Sequence, residues 1–93
     1  SDANSSKVWY NSSMLPVVAR SRRAGDKIVF DYGTKKVKKF LIDNKVGISK
    51  RDEVIVLDKY DEIHAIIGYG ISSKLKTIEH DIIIELKEKT NDY

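Results

Sequence analysis

A chain of 93 residues, 41% hydrophobic and 33% charged, has room for one domain with a modest core. It has no cysteine, which excludes a disulfide framework and a thiolate metal site. The net charge of +3 conceals a segregation: from Arg20 to Arg51 eleven Lys or Arg residues outweigh three acids for +8, and the remainder carries −5.

A concentrated positive field beside an acidic remainder points to a polyanionic partner, nucleic acid first. No apolar run approaches the ~20 residues that span a bilayer, and no signal-peptide pattern opens the chain. A cytoplasmic protein without a membrane partner is expected. The chain opens on Ser1 and a polar stretch, so residues 1–6 read as a frayed end or an expression scar on a piece of something longer. Residues 7–88 then form the single domain, and 89–93 a frayed tail.

In chain order, Lys7 to Asn11 is a short edge strand containing Trp9 and Tyr10. Leu15 to Ala19 is a second, with Pro16 where an edge tolerates a missing N–H. Arg22-Arg23-Ala24-Gly25-Asp26 is a turn, with Gly25 free to take positive φ. Ile28-Val29-Phe30 is a strand stopped by Asp31-Tyr32-Gly33.

Thr34 to Asn44 reads as the main helix, capped by Thr34, with Val37, Phe40 and Leu41 on one stripe. Lys35, Lys36, Lys38 and Lys39 then crowd its first turns against the helix dipole, at about 0.3–1 kcal/mol each. Stability alone would favour acids there, which argues that the lysines serve a ligand. Gly47 ends the helix, and Ser49-Lys50-Arg51-Asp52 resembles a capping box opening a second, one-turn helix.

Val54 to Leu57 is a central strand covered on both faces. Asp58 to Asp61 turn it into a hairpin with Glu62–Ile67. Gly68-Tyr69-Gly70 bends the chain away. Asp81 to Lys87 alternates, with Ile82, Ile84 and Leu86 inward. The sum is an α+β domain: a small mixed or antiparallel sheet of short strands with two short helices on the basic side.

Catalytic signatures are missing. The five glycines form neither a P-loop nor a G-x-G-x-x-G pattern. His64 reads as a histidine on a half-covered sheet face, and His80-Asp81 as a turn at a strand start. Asp58, Asp61 and Glu62 sit in an exposed turn that supplies no pKa-shifting cleft.

The basic segment reads differently. Lys-Lys-Val-Lys-Lys alone is as readily a solvated face as a site, but the arginine turn, the lysine run and Lys50-Arg51 are separate basic elements. The candidate nucleic-acid-binding residues are Arg20, Arg22, Arg23, Lys27, Lys35, Lys36, Lys38, Lys39, Lys45, Lys50 and Arg51. Lysines suit point-charge contact with phosphates, and arginines form directional forks. Tyr32 either stacks on a base or caps the core, the core being favoured. Without interleaved exposed aromatics, a backbone grip on double-helical RNA or DNA fits best. Asp26 and Asp52 are the acids positioned to pair with the arginines, Arg51 among them.

Three blocks resemble the C-terminal domain of bacterial tRNA(Ile)-lysidine synthetase: Arg22 to Ile28, Lys35 to Val46 with Arg51-Asp52, and Glu62 to Ser72. Together they span roughly Trp9 to Leu86. Gly47 and Ile55 stand where that family commonly has proline, Ala65 where it often has Trp, and Gly70 where a basic residue is frequent. The resemblance implies a fold related to a domain of the phenylalanyl-tRNA synthetase β-subunit. It also implies a parent ligase that attaches lysine to the wobble cytidine of isoleucine tRNA. ATP with magnesium, and lysine, would be handled by an N-terminal domain whose Ser-Gly-Gly-x-Asp-Ser loop is not in this sequence, so no cofactor and no catalysis are expected of this chain. Its implied role is to grip the acceptor-stem end of the tRNA. Docking on the rest of the parent chain, a homodimer, and sequence-indifferent RNA binding stay open as alternatives.

Overall fold

The computed structural model describes residues 6–76 and 79–87. Of the frayed ends expected at 1–6 and 89–93, all but Ser6 lie outside those residues, and the Ser6 carbonyl accepts from the Leu86 N–H at 2.9 Å. The main sheet has six strands: β2 (Val18–Ser21), β3 (Lys27–Phe30), β4 (Gly33–Lys36), β5 (Ile55–Lys59), β6 (Glu62–Ile66) and β7 (Gly70–Ile71). Their order is β2-β5-β6-β3-β4, with β7 pairing β6. Only β3 and β6 run parallel, so the sheet is mixed. A separate antiparallel ribbon joins β1 (Lys7–Tyr10) to β8 (Ile82–Glu85). Helices α1 (Val37–Asp43) and α2 (Ile48–Arg51) complete the expected α+β class.

Two cores lie on opposite sides of the sheet. Ile28, Val37, Leu41, Val54, Val56, Ile63 and Ile66 pack beneath α1. Val8, Tyr10, Leu57, Ala65, Ile67 and Leu75 pack beneath the β1–β8 ribbon. Successive residues Val56 and Leu57 therefore face different cores, which is why β5 reads as a continuous apolar run. Gly25 takes φ +87° in the arginine turn, as that turn requires.

The expected helix from Thr34 is corrected. Thr34, Lys35 and Lys36 pair with Val29, Ile28 and Lys27 as edge strand β4, and the chain becomes helical only at Val37. The Val37 N–H bonds the Asp26 carbonyl at 2.9 Å, so the strand runs into the helix without a side-chain cap. Only Lys38 and Lys39 remain in the helix's first turn. The apolar stripe itself is as expected, because its period begins at Val37.

Helix α1 ends at Asp43 with Asn44 as its cap, within one residue of the expected end, and Gly47 is not what stops it. The Val46 N–H reaches the Leu41 carbonyl and the Lys45 N–H the Ile42 carbonyl, both at 2.9 Å, a Schellman closure with Lys45 at φ +60°. Gly47 instead precedes α2 as its cap residue, and no side chain caps that helix, so the expected capping box does not form. Strand β2 starts at Val18, after Pro16. Ile82 and Ile84 pack inward as expected, but Leu86 lies beyond the end of β8 and is exposed.

Candidate nucleic-acid interface

The sequence-predicted cations separate into groups with different partners. Arg20 is claimed by the fold. Its Nε donates to Asp58 at 3.0 Å, and its Nη1 and Nη2 donate to Asp26 at 2.9 and 2.8 Å, with the side chain 11% exposed. Burial opposes the charge of the Asp26 carboxyl, but hydrogen bonds from Arg20 and the Arg23 N–H outweigh it and hold the group below its ordinary range. This fork welds β2, β5 and the arginine turn together, and Arg20 is not available to a ligand.

Arg22 and Arg51 are largely structural as well. Arg22 Nε donates to the Arg51 carbonyl at 3.1 Å and its Nη2 to Asp52 at 3.0 Å. Arg51 Nη1 donates to the Val46 carbonyl at 3.3 Å. Lys35 and Lys39 both turn to Asp43, at 2.8 and 3.5 Å. Lys35, then Lys39, hold the Asp43 carboxyl below its usual value. Lys50 lies 3.8 Å from Glu53.

That leaves Arg23, Lys27, Lys36, Lys38 and Lys45, all exposed and, among the described residues, with no carboxylate within ion-pair distance. Four of these five come together. The arginine turn and the β4–α1 junction enclose a depression of about 210 Å³ lined by Arg22, Arg23, Lys36 and Lys38, and by Asp26, whose carboxylate is taken up by Arg20. Lys27 stands directly opposite Lys36 on the neighbouring strand. Lys45 sits at the other end of α1, where it shares a second groove with Lys50, Gly68 and Tyr69. The cations thus form one focused patch and one outlying pair rather than a lysine-studded helix.

Of the two placements open for Tyr32, the favoured one, on the core, is corrected. Its side chain does not cap the core: the residue is 81% exposed on the two-residue turn between β3 and β4, with its ring stacked on Phe30. The signal was available in Asp31-Tyr32-Gly33, where a turn places the residue before glycine at a hairpin tip.

Neither histidine is arranged for chemistry. His64 is fully buried, and its Nδ1 shares a 3.0 Å hydrogen bond with the Tyr10 hydroxyl. His80 Nε2 reaches the Leu75 carbonyl, and Asp81 accepts from the Ser12 amide and hydroxyl. Among the described residues, no three His, Cys, Asp or Glu side chains converge as metal ligands. No helix among them is long and apolar enough to cross a membrane.

A small mixed-sheet α+β domain with a cationic depression at its sheet edge is the class defined so far. The family model of the TilS substrate C-terminal domain matches residues 17–86, and the chain belongs to that family. It is 34% identical over 75 residues to a tRNA(Ile)-lysidine synthase of Streptococcus gordonii, covering 81% of this chain and 18% of that protein. A Clostridioides difficile protein of the same description is 37% identical over 78 residues, covering 83% and 17%. The chain therefore spans less than a fifth of the length of these curated relatives. A solved structure described as "Crystal structure of TILS C-terminal domain" superposes with a TM-score of 0.65 at 29% identity, over 76% of this chain and 58% of that one.

Proposed function

We propose that this chain is the tRNA-gripping C-terminal domain of a tRNA(Ile)-lysidine synthase, and that it holds the acceptor-stem end of the isoleucine tRNA. The relatives' shared description, tRNA(Ile)-lysidine synthase, supports a parent that modifies tRNA. In this reading the ligation takes place in the cytoplasm. ATP with magnesium, and lysine, belong in this reading to a separate domain of the parent. The observation that carries the binding role is the convergence of Arg23, Lys27, Lys36 and Lys38 without acid partners at one sheet edge. The deep, narrow major groove of A-form RNA keeps side chains from base edges, so recognition rests on phosphates, 2′-hydroxyls and shape. Flexible lysines around a depression suit a ribose-phosphate ridge.

If about four phosphates are neutralised, log K falls with log salt at a slope near −3 to −4. The test is Lys36→Glu with Lys38→Glu, measured against isoleucine tRNA and an unrelated tRNA across salt concentrations. The reading expects weaker binding and a shallower slope. Unchanged binding overturns it, and equal affinity of the native domain for both tRNAs reduces it to generic RNA binding.

A second reading rests on Trp9 and Ile83, which face each other across the ribbon, 42% and 48% exposed. That apolar pair suits docking on the rest of the parent chain or on a second copy. Sedimentation of the parent with Trp9→Ser and Ile83→Ser tests it, with altered assembly at unchanged tRNA affinity as the expected result.

A further inference from the structure

The β3–β4 hairpin carries two unlike features close together. Its strands bring Lys27 opposite Lys36, and its tip presents Tyr32. The tip is fixed. The Asp31 N–H donates to the Ser73 hydroxyl at 2.8 Å, and Phe30 pairs with Gly33 directly below the turn. The Tyr32 ring lies almost parallel to Phe30, with centroids 5.2 Å apart and planes 10° apart. Phe30 in turn stacks on Phe40, with centroids 6.3 Å apart, and Phe40 packs within the core beneath α1.

This is a layered aromatic stack rooted in the core and ending in an exposed ring. One face of Tyr32 is spent on Phe30 and the residue is otherwise open. Holding the ring this way removes rotamer freedom before any ligand arrives, so little ordering cost remains at binding. The tip itself carries Asp31 and no cation, so what it offers is a π face. Along β4, Tyr32 lies four residues from Lys36, about 13 Å at the usual strand rise. Lys27 and Lys36 project from the sheet face opposite Phe30, so an RNA strand that passes round the exposed β4 edge meets both the lysines and the ring.

We infer that Tyr32 is a stacking platform for an unpaired nucleobase at the end of an RNA stem. This deepens the tRNA-binding reading and rests on it. Paired bases inside a helix have no free face, whereas an unpaired base beside a stem end does, and aromatic rings hold such bases with little sequence preference.

The experiment compares two probes, a blunt RNA hairpin stem and the same stem with a short unpaired 3′ overhang. The full chain binds the overhang stem more tightly than the blunt one. Tyr32→Phe keeps that advantage, because the ring and not the hydroxyl stacks. Tyr32→Leu retains an apolar cover on Phe30 and hence the fold. It loses the advantage, with affinity for the overhang stem falling roughly 5- to 150-fold. The salt slope stays as in the unsubstituted chain, since stacking releases no counterions. Equal binding of both probes by the native chain, or undiminished overhang binding by Tyr32→Leu, overturns the platform. If Lys36→Glu with Lys38→Glu weakens binding while Tyr32→Leu does not, the stacking site alone fails. If neither changes binding, the tRNA reading fails with it.

Discussion

Lys27 and Lys36 occupy directly opposed positions on the antiparallel β3–β4 pair. Facing side chains in such a pair have Cβ atoms about 5 Å apart, and like charges there oppose folding. No carboxylate among the described residues relieves either one. A fold selected for stability alone would put an acid at one of the two. Lys36→Glu creates that cross-strand ion pair and is expected to stabilise the chain by about 0.5 kcal/mol. The same change is expected to weaken tRNA binding and flatten the salt slope by about one unit. Thermal melting and salt-dependent binding on one variant check both halves, and a parallel loss of stability and affinity would refute the trade-off.

Arg20 behaves in the opposite way, although the sequence places it in the same basic segment. Its guanidinium sits between Asp26 and Asp58. Removing it by Arg20→Ala leaves two carboxylates without their shared cation, at a cost of about 3 kcal/mol. The melting midpoint should fall by more than ~10 °C. Affinity for tRNA, expressed per folded molecule, should not change. The same fork makes the fold acid-sensitive. The Asp26 carboxyl titrates lower in the folded chain than in the unfolded one. Its contribution is thus complete above the unfolded value of about 3.9, and is lost as pH falls through the lowered folded value. Acid unfolding of Arg20→Ala should show a weaker dependence on pH in that range.

These two residues show why the sequence yields the partner class more readily than the site. Charge segregation, the Val37-Phe40-Leu41 stripe, the Gly25 turn and the β5–β6 hairpin all arise from residues close in sequence, where periodicity and turn chemistry are visible. Arg20 is withdrawn from the surface by Asp58, 38 residues away. Lys35 and Lys36 stand in helix-forming company but are claimed by a strand ladder to Ile28 and Lys27. Local propensity is a weak prior against tertiary pairing. The choice between the two placements of Tyr32 is not local either, because whether a turn residue points inward depends on what lies beneath the hairpin.

His64 supplies a pH dependence of a different origin. The β5–β6 register shifts between Leu57 and Asp58, so His64 is the extra residue of a bulge and points with Ala65 toward the ribbon-side core. Burial disfavours its charged form, and the ammonium groups of Lys74 and Lys59 add to this against the opposing pull of Glu62, so its pKa is lowered. Among the described residues Nε2 has no hydrogen-bond partner, the Glu62 carboxylate lying 3.7 Å away. A histidine that binds protons less readily when folded stabilises the fold fully above its unfolded pKa of about 6.5. That contribution declines as pH falls from there toward the folded value. Below pH 6.5 and above the carboxylate range, stability should fall as pH is lowered. His64→Asn, which does not titrate, should abolish that slope even if it lowers stability overall, and a retained slope would assign it elsewhere.

Gly70 closes the link between core and hairpin tip. A Cβ added there would meet the Phe40 ring at 2.5 Å, inside any tolerable contact. Phe40 therefore occupies the space that a side chain at position 70 would need, and it is the half-buried base of the Phe40–Phe30–Tyr32 stack. Gly70→Ala must push that ring aside, and overpacking of this kind costs about 1–3 kcal/mol. The displacement is transmitted through Phe30 to Tyr32, so the variant should also bind an overhang-bearing RNA stem less tightly while leaving the salt slope intact. Gly70→Ala combined with Phe40→Leu makes room for the methyl group and should regain stability. It should not regain overhang binding, because the stack has lost its base. Melting curves and overhang binding of the single and double variants separate the packing effect from the stacking effect.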